Sequence, residues 1–451
     1  MGRRRKLLSD QPFDLDIESL DSKGLGVAFH DTKKLKVYGA LKGEKVSARY
    51  LFGRSQRGKA ETLDVSLPSV DRVEPRCPHF GYCGGCSLQH MSGTAQLSFK
   101  QAGLLDHLRM TGKVSADEIY PPLQGPQWNY RRKARLSVRD VPAKKRVLVG
   151  FRERNGRYVA DMSECHVLHK EISQLLPVLS SMLGELDCSA AIPQIEVACG
   201  DHQCALIIRH LEALSTSDRD RLRGFAKQHN IALYLQAKGP DTVQLLEGVQ
   251  ANLAYEIPSL GLKFAFEPLD FLQVNSELNQ AMVMRALELL DPQSDDKILD
   301  LFCGLGNFTL ALATRAGQVT GVEGSEQMVT RAEDNARLNS LDNVDFHAVD
   351  LYQAGTTQPW PAGEYTKIML DPPRSGALDL LPWIAASNVT RVLYISCNPE
   401  TLARDAGVLV NDLGFSLSGA GILNMFPHTP HSEAIALFER DCPVGRPQAK
   451  S

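Results

Sequence analysis

Three short segments of the 451-residue chain hold residue types that can make and break bonds. They are Asp371-Pro372-Pro373-Arg374-Ser375-Gly376, Ser396-Cys397-Asn398-Pro399, and Phe426-Pro427-His428-Thr429-Pro430-His431-Ser432-Glu433. Cysteine is a soft, reversible nucleophile that acts as its thiolate. A glutamate near it is a candidate general base. A buried cysteine after a strand is more often structural than reactive. Cys397 departs from that pattern because it stands at the ligand-facing end of a core run, inside Ser-Cys-Asn-Pro. Cys303, within a glycine loop, is a rival thiol and reads as packing. His428 and His431 read as positioning the loop that presents Glu433.

These segments need a scaffold, and from about Phe271 onward the pattern supplies one. Strand-like runs at Lys297–Phe302, Gln318–Glu323, Val344–Val349, Thr366–Leu370, Arg391–Ser396 and Glu433–Phe438 alternate with helix-like stretches. Such alternation predicts an α/β domain with a mostly parallel sheet, in which ligands bind beyond the carboxyl ends of the strands. The first run ends in Asp300-Leu301-Phe302-Cys303-Gly304-Leu305-Gly306-Asn307-Phe308, where two glycines allow a sharp turn and close backbone approach. It is not the dinucleotide fingerprint, because Thr309 stands where the third glycine would fall. The second run ends in Glu323, suited to a ribose diol, and the third in Asp350, suited to an adenine amine. An acid at one strand end is often a helix cap; acids at successive strand ends after a glycine turn are more specific. The stretch from about Leu269 to Arg440 thus resembles the class I (Rossmann-like) S-adenosylmethionine-dependent methyltransferase fold.

On that fold a cysteine has a particular use. C5 of uracil is too weak a nucleophile to take a methyl from a sulfonium unaided. A thiolate added to C6 gives C5 carbanion character, and a base must later remove the C5 proton so that the thiol can leave. Asp-Pro-Pro-Arg-Ser-Gly, Ser-Cys-Asn-Pro and Phe-Pro-His-Thr-Pro-His-Ser-Glu together resemble the RNA m5U methyltransferase family. The resemblance implies Cys397 as nucleophile and Glu433 as the proton-abstracting base. It also implies cofactor contacts at Gln273, Phe302, Asn307, Glu323, Asp350 and Asp371. Position 350 can be Asn in relatives, so its Asp preserves only the acceptor. An amine methylase would need no cysteine and favours an aromatic where Arg374 stands. A cytosine-C5 enzyme commonly carries a second cysteine after the proline pair, absent here. A cluster-bearing RNA-binding protein with an inactive catalytic domain, and a folate-dependent methyl donor, are the remaining alternatives.

Cys77-x5-Cys83-x2-Cys86 has ligand-like spacing, and Cys165 could complete four thiolates for zinc or an iron–sulfur cluster. The resemblance favours a [4Fe-4S] cluster. Residues from about Phe13 to Val65 read as short strands with glycine turns, a small OB-like β-barrel similar to the TRAM domain. Barrel, cysteine set and methyltransferase core occur together in family members that act on 23S ribosomal RNA. The expected domains are a barrel over 8–68, a central α+β cluster and RNA-binding domain over 75–262, and a catalytic domain over 263–451. Residues 93–124 are free in this reading to pack on the catalytic domain.

Net charge is −3, yet Trp128–Arg157 holds eleven Lys or Arg and two acids, a stretch able to grip phosphates. The target base must be flipped from its stack, which suits an RNA loop. RNA, not DNA, is therefore the expected partner. Ten cysteines argue against a disulfide framework and for a reducing compartment. With no apolar run of membrane-spanning length, and no apolar segment after the basic start Arg3–Lys6, a cytoplasmic monomer away from membranes is expected.

Overall fold

The computed structural model describes residues 11–51, 57–154, 156–352 and 365–441, so the basic start lies outside the described residues. The chain divides into two compact units. The first takes residues 1–99, 151–160 and 426–430; the second takes 100–150, 161–425 and 431–451.

In the first unit six strands form one sheet in the order Phe13–Asp16, Lys45–Tyr50, Lys59–Leu67, Lys33–Tyr38, Gly26–His30, Ser19–Leu20. Alternate residues point inward, as the strand period dictates, and Leu15, Ala28, Leu35, Val37, Val46, Ala48 and Ala60 share the core. Glu44 is wholly buried and fully engaged: it accepts hydrogen bonds from Arg72 and from the Leu41 and Ser69 amides. Those partners hold its carboxyl below the usual carboxylate range despite burial.

The second unit holds two larger sheets. One runs Val243–Leu245, Ile231–Gln236, Cys204–Arg209, Gln194–Cys199, Lys133–Val141, Arg146–Gly150, with helices Lys170–Gly184 and Thr216–Gln228 in the same region of the chain. Its register pairs Cys199 with Cys204, their Cα atoms 4.0 Å apart, and the two form a disulfide. The expectation was that the cysteines do not form a disulfide framework, and this one pair departs from it. A short hairpin brings the two Cβ atoms together whatever the overall cysteine usage.

The other is an eight-stranded sheet. Its order is Val344–Ala348, Gln318–Glu323, Lys297–Leu301, Lys367–Leu370, Arg391–Ser396, Glu433–Glu439, Ser416–Leu423, Glu118–Ile119. The first five strands are parallel, and Glu433–Glu439 runs antiparallel to both neighbours. Ser416–Leu423 carries two glycines because Tyr120 lies across it: a Cβ at Gly419 would meet the Tyr120 ring at 2.2 Å, and one at Gly421 would meet Tyr120 at 2.8 Å. Three of the helices beside this sheet start on side-chain caps. Asn275 caps Ser276–Leu290, Ser325 caps Glu326–Leu338, and Asn398 caps Pro399–Asn411. Among the described residues no helix is long and apolar enough to cross a membrane.

Candidate active site

Strand Lys297–Leu301 ends at Phe302, which turns the chain with φ +66°, while Gly304 and Gly306 follow at +56° and +93°. A non-glycine residue in that region stores strain and marks a turn that the surroundings enforce. The Phe302 and Cys303 amides both donate to the Val322 carbonyl, and the Gly304 amide donates to Glu323 at 3.2 Å. The glycine loop is thus tied to the end of the neighbouring strand. At Gly304 a Cβ would meet nothing within 4 Å among the described residues.

Asn307 is held from two sides. Its Oδ1 accepts from the Tyr255 hydroxyl and from Asn279 Nδ2, both at 2.9 Å, and its Nδ2 donates to Asn279 Oδ1 at 3.0 Å. Tyr255 stacks on Phe264, with ring centroids 4.9 Å apart. Phe302 lies 5.8 Å from the ring of Tyr352, whose amide donates to Asp350. Asp350 itself is exposed, just past its strand, and Gln273 is half-buried before helix Ser276–Leu290.

At the next two strand ends stand Asp371 and Cys397. The fifth strand's turn shows why Ser-Cys-Asn-Pro has its order. Ser396 Oγ accepts the Asn398 amide at 3.1 Å, Asn398 caps the helix, and Pro399 begins it where no amide donor is needed. Cys397 between them is half-buried. Burial, then Glu433 and Asp371, push its thiol up, and Arg374 acts in the opposite direction. Glu433 is 4% exposed, and its Oε2 has no hydrogen-bond partner among the described residues. Burial and the charge of Asp371 push its pKa up to about 8. Burial likewise raises Asp371 to about 7. His431 is held below its ordinary value by burial and by Arg374, Lys100 and Arg131. His428 belongs to the other unit, where its amide donates to Gln96 and its carbonyl accepts from Ser87 and Leu88.

Asp300 was not singled out in the sequence. It is wholly buried; Thr309 donates to Oδ2 at 2.6 Å, and Oδ1 has no partner among the described residues. Burial raises it to about 7, and Asp371 and Glu323 add to the shift. The signal was available, since Asp300 is the acid immediately before the glycine turn. Asp300, Glu323, Asp371 and Glu433 therefore form a chain of mutually repelling acids along the strand ends. Such a set suits a ligand that brings positive charge, such as a sulfonium with an ammonium group.

Of the four cysteines predicted as cluster ligands, Cys77, Cys83 and Cys86 lie in the first unit and Cys165 in the second. None is in a disulfide. The Gly85 amide donates to Cys83 Sγ at 3.4 Å. A Cβ at Gly84 would lie 3.0 Å from the Arg152 carbonyl, so this loop requires a glycine there. Burial and neighbouring Cys77 push the Cys83 thiol up, and a bound metal would displace that proton. His169, Cys199 and Cys204 are also close enough to share a metal, but both of those sulfurs are spent in the disulfide.

The basic stretch Trp128–Arg157 is less available than its composition suggests. Arg132 pairs with Asp201, Arg135 with Glu196, Lys144 and Arg146 with Asp161, and Arg154 with Glu61. Lys133 donates to the Asp270 carbonyl, and burial lowers its pKa to about 8. Arg139, Lys145 and Arg157 remain exposed.

A family model described as tRNA (Uracil-5-)-methyltransferase matches residues 203–356 and 361–441. The 23S rRNA (uracil(1939)-C(5))-methyltransferase RlmD of Alkalilimnicola ehrlichii is 46% identical, over 98% of this chain and 99% of its own length. Its namesake from Xanthomonas axonopodis pv. citri is also 46% identical, over 98% of this chain and 100% of its own. Among solved structures, the Pyrococcus abyssi tRNA (uracil-54, C5)-methyltransferase in complex with S-adenosyl-L-homocysteine superposes with a TM-score of 0.72 at 22% identity. That likeness covers 94% of this chain and 99% of the other, and shows an α/β methyltransferase fold. By these full-length relatives and the matched family model, the chain belongs to the RNA uracil-C5 methyltransferase family.

Proposed function

We propose that the chain methylates C5 of a uracil in 23S ribosomal RNA, the residue its relatives' names number 1939. The observation that carries the reading is the convergence of Cys397, Asp371 and Glu433 at adjacent strand ends, with one Glu433 oxygen buried and, among the described residues, unpartnered. S-adenosylmethionine, when bound, supplies an electrophilic methyl group, and the acid-rich strand ends fit its positive charge. Gln273, Phe302, Asn307, Glu323, Asp350 and Asp371 are the residues that would hold it.

Cys397 adds through sulfur to C6 of the flipped base, and the electron pair moves toward C5 and the C4 carbonyl. C5 takes the methyl group as the sulfur–methyl bond breaks, the pair staying on sulfur so that S-adenosylhomocysteine would leave, and C5 then carries both methyl and proton. Glu433 then takes the C5 proton, the C5–C6 double bond re-forms, and the thiolate leaves. A carboxyl with a raised pKa is a stronger base once ionised, which suits removal of a carbon-bound proton.

We read the six-stranded N-terminal sheet as a TRAM-like RNA-binding barrel, and Cys77, Cys83, Cys86 and Cys165 as thiolate ligands of a [4Fe-4S] cluster. The Gly85 amide donated to Cys83 Sγ, and the ligand-like spacing of Cys77, Cys83 and Cys86, support the second reading. The cluster's role is structural, since no electron transfer is needed. Iron and sulfide should be lost together from Cys83→Ser; retention of both would refute the ligand set.

The deciding experiment is transfer from labelled S-adenosylmethionine to unmodified 23S ribosomal RNA, with transfer RNA and 5-fluorouridine-substituted copies as comparators. Transfer to the ribosomal RNA, with a stable Cys397 adduct on its fluorinated copy, is expected. A transfer RNA substrate is the second reading, because the matched family model and the superposed structure both carry transfer RNA in their descriptions. Transfer to that RNA alone would establish it. No transfer to either RNA would overturn both.

A further inference from the structure

Helix Pro399–Asn411, which begins two residues after Cys397, carries a carboxylate that the reaction above does not use. Asp405 is wholly buried. Its Oδ2 accepts from the Tyr394 hydroxyl at 2.7 Å and from the Ala377 amide at 2.8 Å, and its Oδ1 accepts from Arg404 Nε at 2.8 Å. Arg404 in turn donates to the Ser375 carbonyl at 2.8 Å. Tyr394 lies on the strand Arg391–Ser396, three residues before Cys397. Ala377 and Ser375 flank Gly376, in the loop that carries Asp371 and Arg374. Gly376 has φ +81°, and a Cβ there would come within 2.6 Å of both Arg404 and Asp405, so the loop is drawn tightly against the helix.

The turn after Cys397 grips the same loop from its other end. Asn398 Nδ2 donates to the Arg374 carbonyl at 3.1 Å. Tyr352 adds bonds to the Ser375 hydroxyl at 2.7 Å and the Gly376 carbonyl at 3.1 Å. A buried carboxylate is costly unless its oxygens are paired. Here the pairing joins two loops that both carry reactive groups.

We propose that Asp405 is a positioning residue for methyl transfer: it fixes the loop Arg374–Ala377 against the strand that leads into Cys397, and so sets where Arg374 stands relative to the thiol. The proposal rests on Cys397 being the nucleophile. The groups acting on that thiol are Glu433, from the antiparallel neighbouring strand, and Asp371 and Arg374, from the clamped loop. Asp371 follows directly on its strand and is anchored by it, whereas Arg374 lies farther along the loop and is exposed. Loosening the loop therefore withdraws the cation more than the acids, and the thiol becomes harder to ionise.

Asp405→Asn keeps the size of the side chain and one acceptor oxygen. In the full-length protein with its metal content intact, three quantities are compared with wild type. Alkylation of Cys397 by iodoacetamide, followed on its own peptide by mass spectrometry, is expected to shift its pH midpoint upward by about half a unit or more. Turnover on unmodified 23S ribosomal RNA is expected to fall about tenfold or more, as for small misplacements of reacting groups. Affinity for S-adenosylhomocysteine should stay within about threefold.

An unchanged alkylation profile with unchanged turnover, whatever the melting temperature, makes Asp405 a scaffold residue and overturns the proposal. If Asp405→Asn does not fold, Tyr394→Phe decides, with smaller shifts expected in the same directions and none overturning it. Failure of wild type to form the 5-fluorouridine adduct would instead strike the nucleophile assignment, and the alkylation profile would still judge the clamp.

Discussion

Replacing Glu433 with glutamine tests the mechanism at the step where the chain's own chemistry is most exposed. The substitution keeps shape and hydrogen-bonding capacity and removes the ability to accept the C5 proton. The wild-type carboxyl has a pKa of about 8, set by burial and then by Asp371. Roughly a tenth of it is ionised at pH 7, so elimination from the methylated adduct should quicken about tenfold between pH 6 and 7 and level off above pH 8. The variant should lack that dependence and eliminate roughly 10²–10⁴-fold more slowly, the usual range for a lost general base. The adduct between Cys397 and RNA should then accumulate and survive denaturing electrophoresis. The assay is a single turnover with end-labelled RNA, quenched in detergent across pH 6–9. Release of 5-methyluridine by the variant at the wild-type rate, or elimination by wild type that ignores pH, would refute the reasoning. Stability supplies a second reading with a definite sign. The folded pKa lies above the ordinary 4.5, so the native state holds the extra proton and wild-type stability falls as pH rises from about 4.5 to 8. Glu433→Gln should melt close to wild type at pH 5 and higher than wild type at pH 8.

Cys397→Ala should abolish turnover and the fluorinated-RNA adduct while S-adenosylhomocysteine affinity stays within about threefold; residual turnover at the wild-type rate would remove the nucleophile assignment. Binding of S-adenosylmethionine should release protons near neutral pH, because its positive charge favours the ionised forms of Asp300 and Asp371, both near 7. Its affinity should therefore rise between pH 6 and 8, measured by calorimetry in buffers of different ionisation enthalpy; proton uptake would contradict the acid-pocket argument. Gly419→Ala drives a Cβ to 2.2 Å from the Tyr120 ring and should cost about 1–3 kcal/mol, read as a lowered melting temperature; an unchanged melt would show that Tyr120 does not pack there.

Much of the catalytic half was legible in the sequence because its signals are local. Parallel strands buried on both faces read as short apolar runs, and Gln318–Glu323 and Arg391–Ser396 keep their expected bounds. Strand ends are where an open α/β sheet binds ligands, so Glu323, Asp371 and Cys397 stood out as the residues that follow those runs. The Asn398-Pro399 pair has the chemistry of a helix start, and the structure shows Asn398 capping the helix that Pro399 begins. Ser416–Leu423 was invisible for an equally physical reason. Its Ser-Gly-Ala-Gly character denotes weak strand propensity, and only contact with Tyr120, some three hundred residues earlier in the chain, explains the glycines.

Pairing between distant segments belongs to the tertiary structure alone. Composition showed a basic stretch over Trp128–Arg157, but not that Asp201, Glu196, Asp161 and Glu61 would neutralise much of it. Cysteine usage argued for free thiols, and strand register placed Cys199 against Cys204. Residue identity gave Glu433 the capacity to act as a base; burial beside Asp371 raised its pKa toward the working pH. Nor does any local pattern mark Asp405 as the group joining the loops of Arg374 and Cys397. Sequence determines which bonds a side chain can make, because that is fixed by its atoms. Folding decides which are made and how strongly groups ionise, because desolvation and charge proximity depend on neighbours that the chain meets only in three dimensions.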